Sequence, residues 1–405
     1  MRMIPMLIII VTLTLFCAIK PTLAQEIHPT LLFKNISEVP GWKYKDEQPY
    51  KLWNKRIPFL CSNYYMNYNF SDTSKREGEK ADYCYKFALA YLITGNSSFA
   101  EKAVEGLRHL GESKINGLNT SGCINDYAAA APGKYAICYD WMYNYIQQNY
   151  PELDPVIRDK LGKWAHYLYT NYTKFSGDVG TRFQRAYSLG MVATVLQNYT
   201  SPYESCKDEW LTAATKWLFE EDFTGRPALG LYYNKGGLCR GIEGYSSRWI
   251  YNIITWLHVY KKNYNQEIPW KLSRDIYNIL LATNLPDGKR PNHQAQGSAF
   301  WITDSSYYVL DLLPTNEAEW HRWWVEFVGE GNIDMWKGYI FYDKHIVSPK
   351  EPNFTTFISS DAESAVFRKD WSIESDYLWL KIFSMSTVVN RDCLLYTSPS
   401  PRDRG

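Results

Sequence analysis

Apolar residues recur at helical spacing through most of this chain, from about residue 80 to residue 336. One such face carries Phe99, Ala103, Leu107 and Leu110. Two later segments repeat the spacing, with Ile250, Ile253, Ile254 and Leu257 in the first and Leu272, Ile276, Ile279 and Leu280 in the second. Turn-forming residues at 94–96, 131–133, 149–151 and 286–288 separate the helical segments. The pattern predicts helical hairpins in succession, without the alternation of strand and helix that builds a parallel sheet.

The pattern changes after Trp336 to short runs of β-branched and aromatic residues bounded by Pro, Asp or Ser. These runs lie at 339–342, 355–359, 365–368 and 377–382. The sequence therefore predicts a mainly α fold with two parts. Residues 25–340 form an α/α toroid, an incomplete barrel of helical hairpins, and residues 341–392 form the truncated start of an antiparallel β-sandwich domain.

The first 24 residues have the features of a secretory signal peptide. Arg2 precedes an apolar run over 4–17, and Thr22-Leu23-Ala24 provides a small-residue cleavage site before Gln25. The apolar run is short for a bilayer span, and no later stretch predicts one. We therefore expect a protein that is secreted, or periplasmic if the source is bacterial.

Residues 393–403, CLLYTSPSPRD, resemble the translation of a sequencing or library adapter. On this interpretation the native chain departs from the sequence near residue 391, and 393–405 is a non-native tail. The alternative is an ordinary disordered tail rich in Ser and Pro.

Six cysteines remain between the two ends, and an even number in an exported chain suggests up to three disulfides. Free buried cysteines are the alternative, and the spacing shows no zinc motif. These six are Cys61, Cys84, Cys123, Cys138, Cys206 and Cys239. Seven sequons predict a glycoprotein if the source is eukaryotic, at Asn35, Asn69, Asn96, Asn119, Asn171, Asn198 and Asn353.

Composition narrows the classes of ligand. The net charge of +1 gives no overall field that would attract nucleic acid. No GxGxxG or P-loop is present, which disfavours a nucleotide-dependent enzyme, and no cofactor is identifiable. The 33 Tyr and 16 Trp fill cores, but such rings also stack on the apolar faces of sugars.

Four stretches carry a family resemblance, and they occur in the expected order. They are HPTLLF at 28–33, AICYDWMY at 136–143, GGLCRGIEGYSSRWIY at 236–251 and AVFRKDW at 365–371. Together they resemble the heparinase II/III-like and related alginate lyase-like polysaccharide lyases, whose architecture the dermatan-sulfate epimerases share. The resemblance covers nearly the whole mature chain.

The resemblance implies an acidic polysaccharide substrate of the alginate or glycosaminoglycan type, cleaved by β-elimination. One group neutralises the carboxylate of a uronate, a base removes the neighbouring C5 proton, and an acid protonates the departing oxygen. A tyrosine suits the acid/base role because a nearby positive charge favours its ionised form.

Tyr245 is the first candidate for this acid/base, and Tyr251 is the second. Arg248, one turn along the predicted helix from Tyr245, could polarise it and contact substrate. Glu243 is either an orienting group or a charge at the start of a helix. For both tyrosines, packing in the core is the alternative.

The position that neutralises the carboxylate departs from the family, which usually has an Asn or His there. Arg182, Gln184 and Arg185 stand in its place, in GDVGTRFQRAYSLG at 177–190. An arginine can bind a carboxylate bidentately, although either arginine could also be a solvated surface charge. Three further candidates are His293, in a loop beside two basic residues, and Trp249 and Trp301, as walls that stack on sugars.

Three other functions stay open. A uronyl epimerase would share the architecture, and a non-catalytic glycan-binding protein would fit the altered carboxylate position. An α/α-barrel glycoside hydrolase would need two carboxylates, which Glu243, Asp287 or Asp304 could supply. The β domain could add a His, a Tyr or a metal, and the sequence does not identify the glycan or the oligomeric state.

Overall fold

The computed structural model describes residues 27–112, 126–171, 179–216, 246–264, 281–282, 305–359, 364–372, 374–382 and 393–397. Its α-helices are α1 (Pro40–Lys43), α2 (Tyr50–Leu60), α3 (Glu77–Thr94), α4 (Ser97–Arg108), α5 (Asp126–Asn149), α6 (Leu153–Thr170), α7 (Val179–Val195), α8 (Lys207–Thr215), α9 (Ser246–Tyr264), α10 (Thr315–Val328) and α11 (Met335–Phe341). Single helical turns lie at Ile36–Glu38, Ser305–Tyr308 and Glu330–Asn332, and a wider π turn at Cys61–Tyr65 extends α2.

The first long hairpin shows how local sequence sets the helix bounds. Gly95 ends α3 with a φ of 69°, a left-handed conformation that favours glycine. The side chain of Asn96 then accepts a hydrogen bond from the backbone N–H of Ser98 and caps α4. The predicted apolar face of α4 is buried, including Phe99 and Leu107. A two-residue connection makes α3 and α4 antiparallel neighbours.

The long helices form two layers. In the inner layer α3, α5, α7 and α9 pack side by side in that order, while α4, α6 and α8 lie outside and contact the inner helices next to them. Contacts along the helices show that successive inner helices run in the same direction. Asp82 meets Lys134 and Tyr91 meets Tyr145 between α3 and α5, and Gln184 meets Asn252 and Thr194 meets Tyr264 between α7 and α9. Between α5 and α7, Gly133 meets Ser188, and residues 27 and 28 join Gln197, just past the end of α7, to Asp140 farther along α5. The N-terminal turns of the inner helices therefore meet at one end of the structure.

The inner layer continues through shorter elements until it returns to α3. Helix α9 contacts the turn Ser305–Tyr308, this turn contacts α11, α11 contacts α2, and α2 contacts α3. Hydrogen bonds join the distant parts of the chain: the hydroxyl of Tyr50 donates to the carbonyl of Tyr342, and that of Tyr339 donates to the side-chain oxygen of Asn54. This ring of helices confirms the predicted mainly α fold of toroidal hairpins. The turn predicted at 131–133 is wrong, because Pro132 and Gly133 lie inside α5, which is continuous from Asp126 to Asn149. Gly133 allows the close approach of the Tyr187 ring and does not form a turn.

Close packing between inner helices depends on glycine. A Cβ atom at Gly190 in α7 would lie 2.5 Å from ring atoms of Trp256, which is fully buried in α9. The backbone at Gly190 therefore contacts the indole ring of Trp256 directly, and any side chain larger than hydrogen at this position would clash with the ring.

We expect Gly190→Ala to lower the free energy of unfolding by about 1–3 kcal/mol, because the methyl group forces the buried indole to move. The midpoint of chemical denaturation, followed by tryptophan fluorescence, measures the change. Gly331→Ala is the matched control, since its Cβ would meet no heavy atom within 4 Å. Equal midpoints for the two variants would show that α7 and α9 can move apart to fit the methyl group without loss of stability.

The strands follow the helices and form a single antiparallel meander. They are β1 (Thr356–Ser359), β2 (Ser364–Arg368), β3 (Tyr377–Ile382) and β4 (Cys393–Thr397), hydrogen-bonded in the order β1-β2-β3-β4. In this register Val366 lies opposite Phe357 on β1 and Trp379 on β3. The antiparallel strands predicted at 355–359, 365–368 and 377–382 are thus confirmed. The strand predicted at 339–342 is wrong, because these residues end helix α11, where Tyr339 and Ile340 are buried against the other helices. Strand β4 falls within the adapter-like stretch, and its pairing does not test the origin of that stretch.

The described cysteines do not bear out the expected disulfides. Cys61, Cys84, Cys138 and Cys206 are free thiols. The sulfur atoms of Cys84 and Cys138 are 2.7 Å apart between α3 and α5, and burial raises the pKa of the Cys84 thiol well above its usual range. The other two predicted partners, Cys123 and Cys239, lie outside the described residues. None of the helices in the described ranges is both long enough and apolar enough to cross a membrane.

Candidate functional site

Two of the family-like motifs bind each other. The His28 ring Nδ1 lies 2.7 Å from the Asp140 carboxylate, and both side chains are fully buried. The same carboxylate accepts hydrogen bonds from the backbone N–H groups of Thr30 and Leu31, at distances of 2.9 to 3.0 Å. The aspartate of AICYDWMY therefore holds the N-terminal segment HPTLLF against inner helix α5.

The AVFRKDW motif joins the sheet to the helices. The Arg368 guanidinium stacks 3.7 Å from the centre of the Trp371 ring and donates a hydrogen bond to the carbonyl of Ala282. Trp371 is buried beside Trp324 of α10, and its indole N–H donates to the carbonyl of Phe354. Three of the four motifs thus have structural roles that the described residues account for.

Polar side chains gather near the N-terminal end of the inner layer. Asp82, Gln184 and Tyr251 lie in the second turns of α3, α7 and α9, and Lys134 lies in the third turn of α5. Because the inner helices run in the same direction, these turns are at the same end of the ring. Helix α11 adds a fifth residue, Lys337, from the far side.

The centre of this group is a lysine on a tyrosine. The Lys337 ammonium lies 3.6 Å from the centre of the Tyr251 ring, a strong cation–π geometry. Tyr251 is 6% exposed and its ring meets the edge of Tyr308, at 5.3 Å between centroids. The Lys337 side chain stays 31% exposed. We call Asp82, Lys134, Tyr251, Asp334 and Lys337 the Lys337 cluster.

The two lysines of the cluster differ in how tightly they are paired. Lys134 is 2.7 Å from the Asp82 carboxylate, a direct ion pair. Lys337 is 3.9 Å from Asp334, at the limit of an ion pair. The other oxygen of Asp334 accepts a hydrogen bond from the backbone N–H of Trp336 and so caps α11. Lys337 is therefore the cation of the cluster with the greater capacity to bind an added anion.

The surroundings make Lys337 less basic than an ordinary lysine. Burial is the main cause that lowers its pKa; Asp334 and Asp82 act in the opposite direction, and the positive charge of Lys134 lowers it further. Part of the Lys337 side chain nevertheless contacts solvent. An anion that bound there would favour the charged form.

Four other tyrosines around the cluster are poor acids. Burial raises the pKa of Tyr85, Tyr187, Tyr307 and Tyr308 well above the usual range. Each of these hydroxyls is therefore harder to ionise than that of an exposed tyrosine. Tyr251, with the Lys337 charge on its ring, has a different environment from these four.

Two of the predicted carboxylate-binding residues are described, and they have different surroundings. Gln184 is buried at 3% exposure, and its side-chain oxygen accepts a hydrogen bond of 2.5 Å from the amide of Asn252, the residue after Tyr251. Arg185 is fully buried, and its charge acts on Tyr167 of outer helix α6. The structure thus places Gln184 beside the Tyr251 segment and Arg185 between the two layers, and their roles with substrate stay predictions.

The remaining predicted site residues are not placed in this group. Tyr245, Glu243, His293 and Trp301 lie outside the described residues. The backbone of Arg182 belongs to α7, and that of Arg248 and Trp249 to α9, but their side chains are outside the description. Their assignments stay predictions.

Sequence reasoning did not find Lys337, Lys134, Asp82, Asp334 or Asn252. One signal could have identified three of them: Asp82, Lys134 and Asn252 each fall in the second or third turn of an inner helix. Across the described ranges, no group of three or more His, Cys, Asp or Glu residues is arranged to hold a metal ion.

Comparisons with known proteins give weak likenesses. No family model matches the sequence, and no curated protein matches it. Among solved structures, a heparan sulfate lyase HepC mutant from Pedobacter heparinus is 15% identical, with a TM-score of 0.48 over 78% of this chain and 46% of that one. A heparinase III with methylated lysines is 11% identical, with a TM-score of 0.47 over 92% of this chain and 58% of that one.

A second structure of heparinase III gives 10% identity and a TM-score of 0.44, again over 58% of its length. The chain thus spans about half the length of the solved structures that it resembles. At these identities and TM-scores the likenesses assign neither an activity nor a substrate to this chain.

Proposed function

We propose that this chain is a secreted enzyme that cleaves uronic-acid-containing polysaccharides by β-elimination, with its reacting centre at the Lys337 cluster. The observation that carries the proposal is the Lys337 ammonium on the ring of Tyr251, at the end of the ring where the inner helices begin. It supplies a cation and a tyrosine side by side, which are the two groups that this reaction needs. The order of the four family-like motifs supports the same reaction.

Lys337 would neutralise the carboxylate of the uronate. Abstraction of the C5 proton places negative charge on the carboxylate, so a fixed cation there stabilises the transition state more than the ground state. The ammonium is held by its ring contact and only loosely paired with Asp334, so it can approach an added carboxylate without breaking a tight ion pair. The Gln184–Asn252 amide pair, next to Tyr251 in the chain, would orient the same substrate unit.

A tyrosine would transfer the protons. Its phenolate removes the C5 proton, the electron pair of that C–H bond forms the C4–C5 double bond, and the C4–O bond breaks. The departing oxygen then takes a proton from the tyrosine hydroxyl. Tyr251 is the described residue placed for this role, and Tyr245 remains the other candidate. Arg182, Glu243 and His293 are kept as predicted contributors.

We expect the purified chain to generate products that absorb in the ultraviolet from one of four polymers: alginate, chondroitin, dermatan or heparan chains. The absorbance reports the unsaturated uronate, which hydrolysis does not produce. Tyr251→Phe should abolish the signal because it removes the hydroxyl and keeps the ring under Lys337. Tyr64→Phe is the matched control, at a tyrosine that is 68% exposed.

If the folded native chain produces no ultraviolet absorbance from any of the four polymers, the lyase proposal is contradicted. If Tyr251→Phe keeps full activity, Tyr251 is not the acid/base, and Tyr245 becomes the candidate for that role. Exchange of solvent deuterium into C5 without cleavage would identify a uronyl epimerase.

A glycoside hydrolase is the second candidate, and one observation favours it. The carboxylates of Asp82 and Asp334 both lie close enough to Lys337 to raise its pKa. A pair of carboxylates is what hydrolysis requires. Reducing ends that accumulate without ultraviolet absorbance, and that are lost in Asp82→Asn, would establish this reaction.

A further inference from the structure

A second lysine lies among aromatic rings next to the Lys337 cluster. The Lys86 ammonium is 5.0 Å from the ring centres of Tyr65 and Tyr83 and 5.5 Å from that of Trp336. The lysine and all three rings are half-buried, so each keeps part of its surface open to solvent. We call these four residues the Lys86 cage.

The positive charge in the cage has no carboxylate partner in the described part of the chain. The ion pairs found there involve other lysines, among them Lys75, Lys102 and Lys134. The rings themselves are tied together: Tyr83 stacks on Tyr68 at 3.9 Å and meets the edge of Tyr65 at 5.1 Å. A fixed set of rings around an unneutralised ammonium is suited to a ligand with both an apolar face and a negative charge.

The cage and the cluster are adjacent on two elements. Lys86 follows Asp82 by four residues on α3, so the two side chains share one helical face, one turn apart. Trp336 of the cage directly precedes Lys337 of the cluster. The hydroxyl of Tyr85 donates to the carbonyl of Trp336 and joins these elements. A chain of sugars that reached Lys337 would therefore pass the Lys86 cage.

We propose that the Lys86 cage is a second subsite, which binds the neighbouring acidic unit of the same polysaccharide. The rings pack against the apolar face of the sugar, and the Lys86 ammonium pairs with its carboxylate or sulfate group. This inference rests on the proposed function, because it assigns the ligand that the Lys337 cluster would process. It predicts a preference for oligosaccharides with at least two acidic units.

The test measures binding of acidic oligosaccharides to the full chain carrying Tyr251→Phe, which prevents cleavage. A disaccharide with a single acidic unit, its second carboxylate reduced where the polymer supplies two, and a hexasaccharide from the preferred polymer are titrated at two salt concentrations. Added Lys86→Met should weaken hexasaccharide binding about tenfold, the factor expected for one charge-assisted contact half open to water. The affinity for the disaccharide should change less than about twofold, because one unit fills the Lys337 subsite alone.

Two further variants separate binding from packing. Lys86→Arg keeps the charge and should retain the hexasaccharide affinity. Lys163→Met removes an exposed lysine of outer helix α6 and should change nothing. Salt should weaken hexasaccharide binding less in Lys86→Met than in the parent, a result that a purely structural lysine would not produce.

Unchanged hexasaccharide affinity in Lys86→Met would overturn the subsite and leave the proposed function standing. An equal loss for both oligosaccharides would also overturn it, because the lysine would then act on the first subsite or on the fold. If the native chain binds no acidic glycan of either length, the proposed function and the subsite fail together.

Discussion

Lys337→Met is expected to lower turnover of the preferred polysaccharide by about 10²- to 10³-fold, the loss typical when one preorganised group that stabilises transition-state charge is removed. Methionine keeps most of the side-chain volume on the Tyr251 ring, so the fold should survive. Initial rates of ultraviolet absorbance give kcat and KM, and kcat should carry most of the loss. Lys163→Met is the matched control on the outer layer. Turnover within twofold of the native chain would remove Lys337 from the mechanism.

The same residue should set the alkaline limit of activity. Burial lowers the pKa of Lys337 below the ordinary value of 10.5, so its charge is lost at lower pH than that of an exposed lysine. Activity should fall as the pH rises through this lowered pKa. Lys337→Arg stays protonated, and the alkaline limb of its profile of kcat/KM against pH should move upward. An identical limb in both proteins would mean that another group titrates there.

Asp140→Ala is expected to lower the free energy of unfolding by about 3–5 kcal/mol, because it removes the carboxylate at the centre of a buried hydrogen-bond network. The change deprives the backbone N–H groups of Thr30 and Leu31 and the ring of His28 of their acceptor, inside the protein. Chemical denaturation measures the loss. Asp46→Ala, at an exposed turn, should stay within about 0.5 kcal/mol of the native chain.

Proteolysis gives a second measurement of the same contact. If Asp140 holds the N-terminal segment against α5, its loss should expose the segment around residue 28 to cleavage before the helices open. Similar unfolding midpoints for Asp140→Ala and Asp46→Ala would show that the segment contributes little to stability.

The family-like motifs illustrate what local sequence can reveal. HPTLLF, AICYDWMY and AVFRKDW can be identified from the sequence as motifs that resemble those of polysaccharide lyases, and this resemblance indicates a glycan substrate. In the structure, His28 meets Asp140, and Arg368 stacks on Trp371, so these motifs fasten the N-terminal segment and the sheet to the helices. Their residue types are explained by burial and hydrogen bonding without any ligand.

The candidate site was predictable in part. Tyr251 was named from its place at the start of an aromatic helix, and Gln184 from its place where the family has an amide or a histidine. Lys337 was not, because a lysine beside a tryptophan in a short helix has no local feature that separates it from a surface lysine. Its significance comes from the ring of Tyr251, which lies far away in the chain and 3.6 Å away in space.

The sequence by itself determined most of the helices, their order in hairpins and the three antiparallel strands that begin at Thr356, although it misplaced a turn at 131–133 and a strand at 339–342. These features depend on interactions between residues a few positions apart: apolar spacing, the glycine that ends α3 and the asparagine that caps α4. Only the tertiary structure decided which charges share a site. The inner helices run in one direction and the ring closes through α11 and α2, which brings Asp82, Lys134 and Lys337 to the same end. Such encounters depend on packing between distant segments, and no local spacing in the chain encodes them.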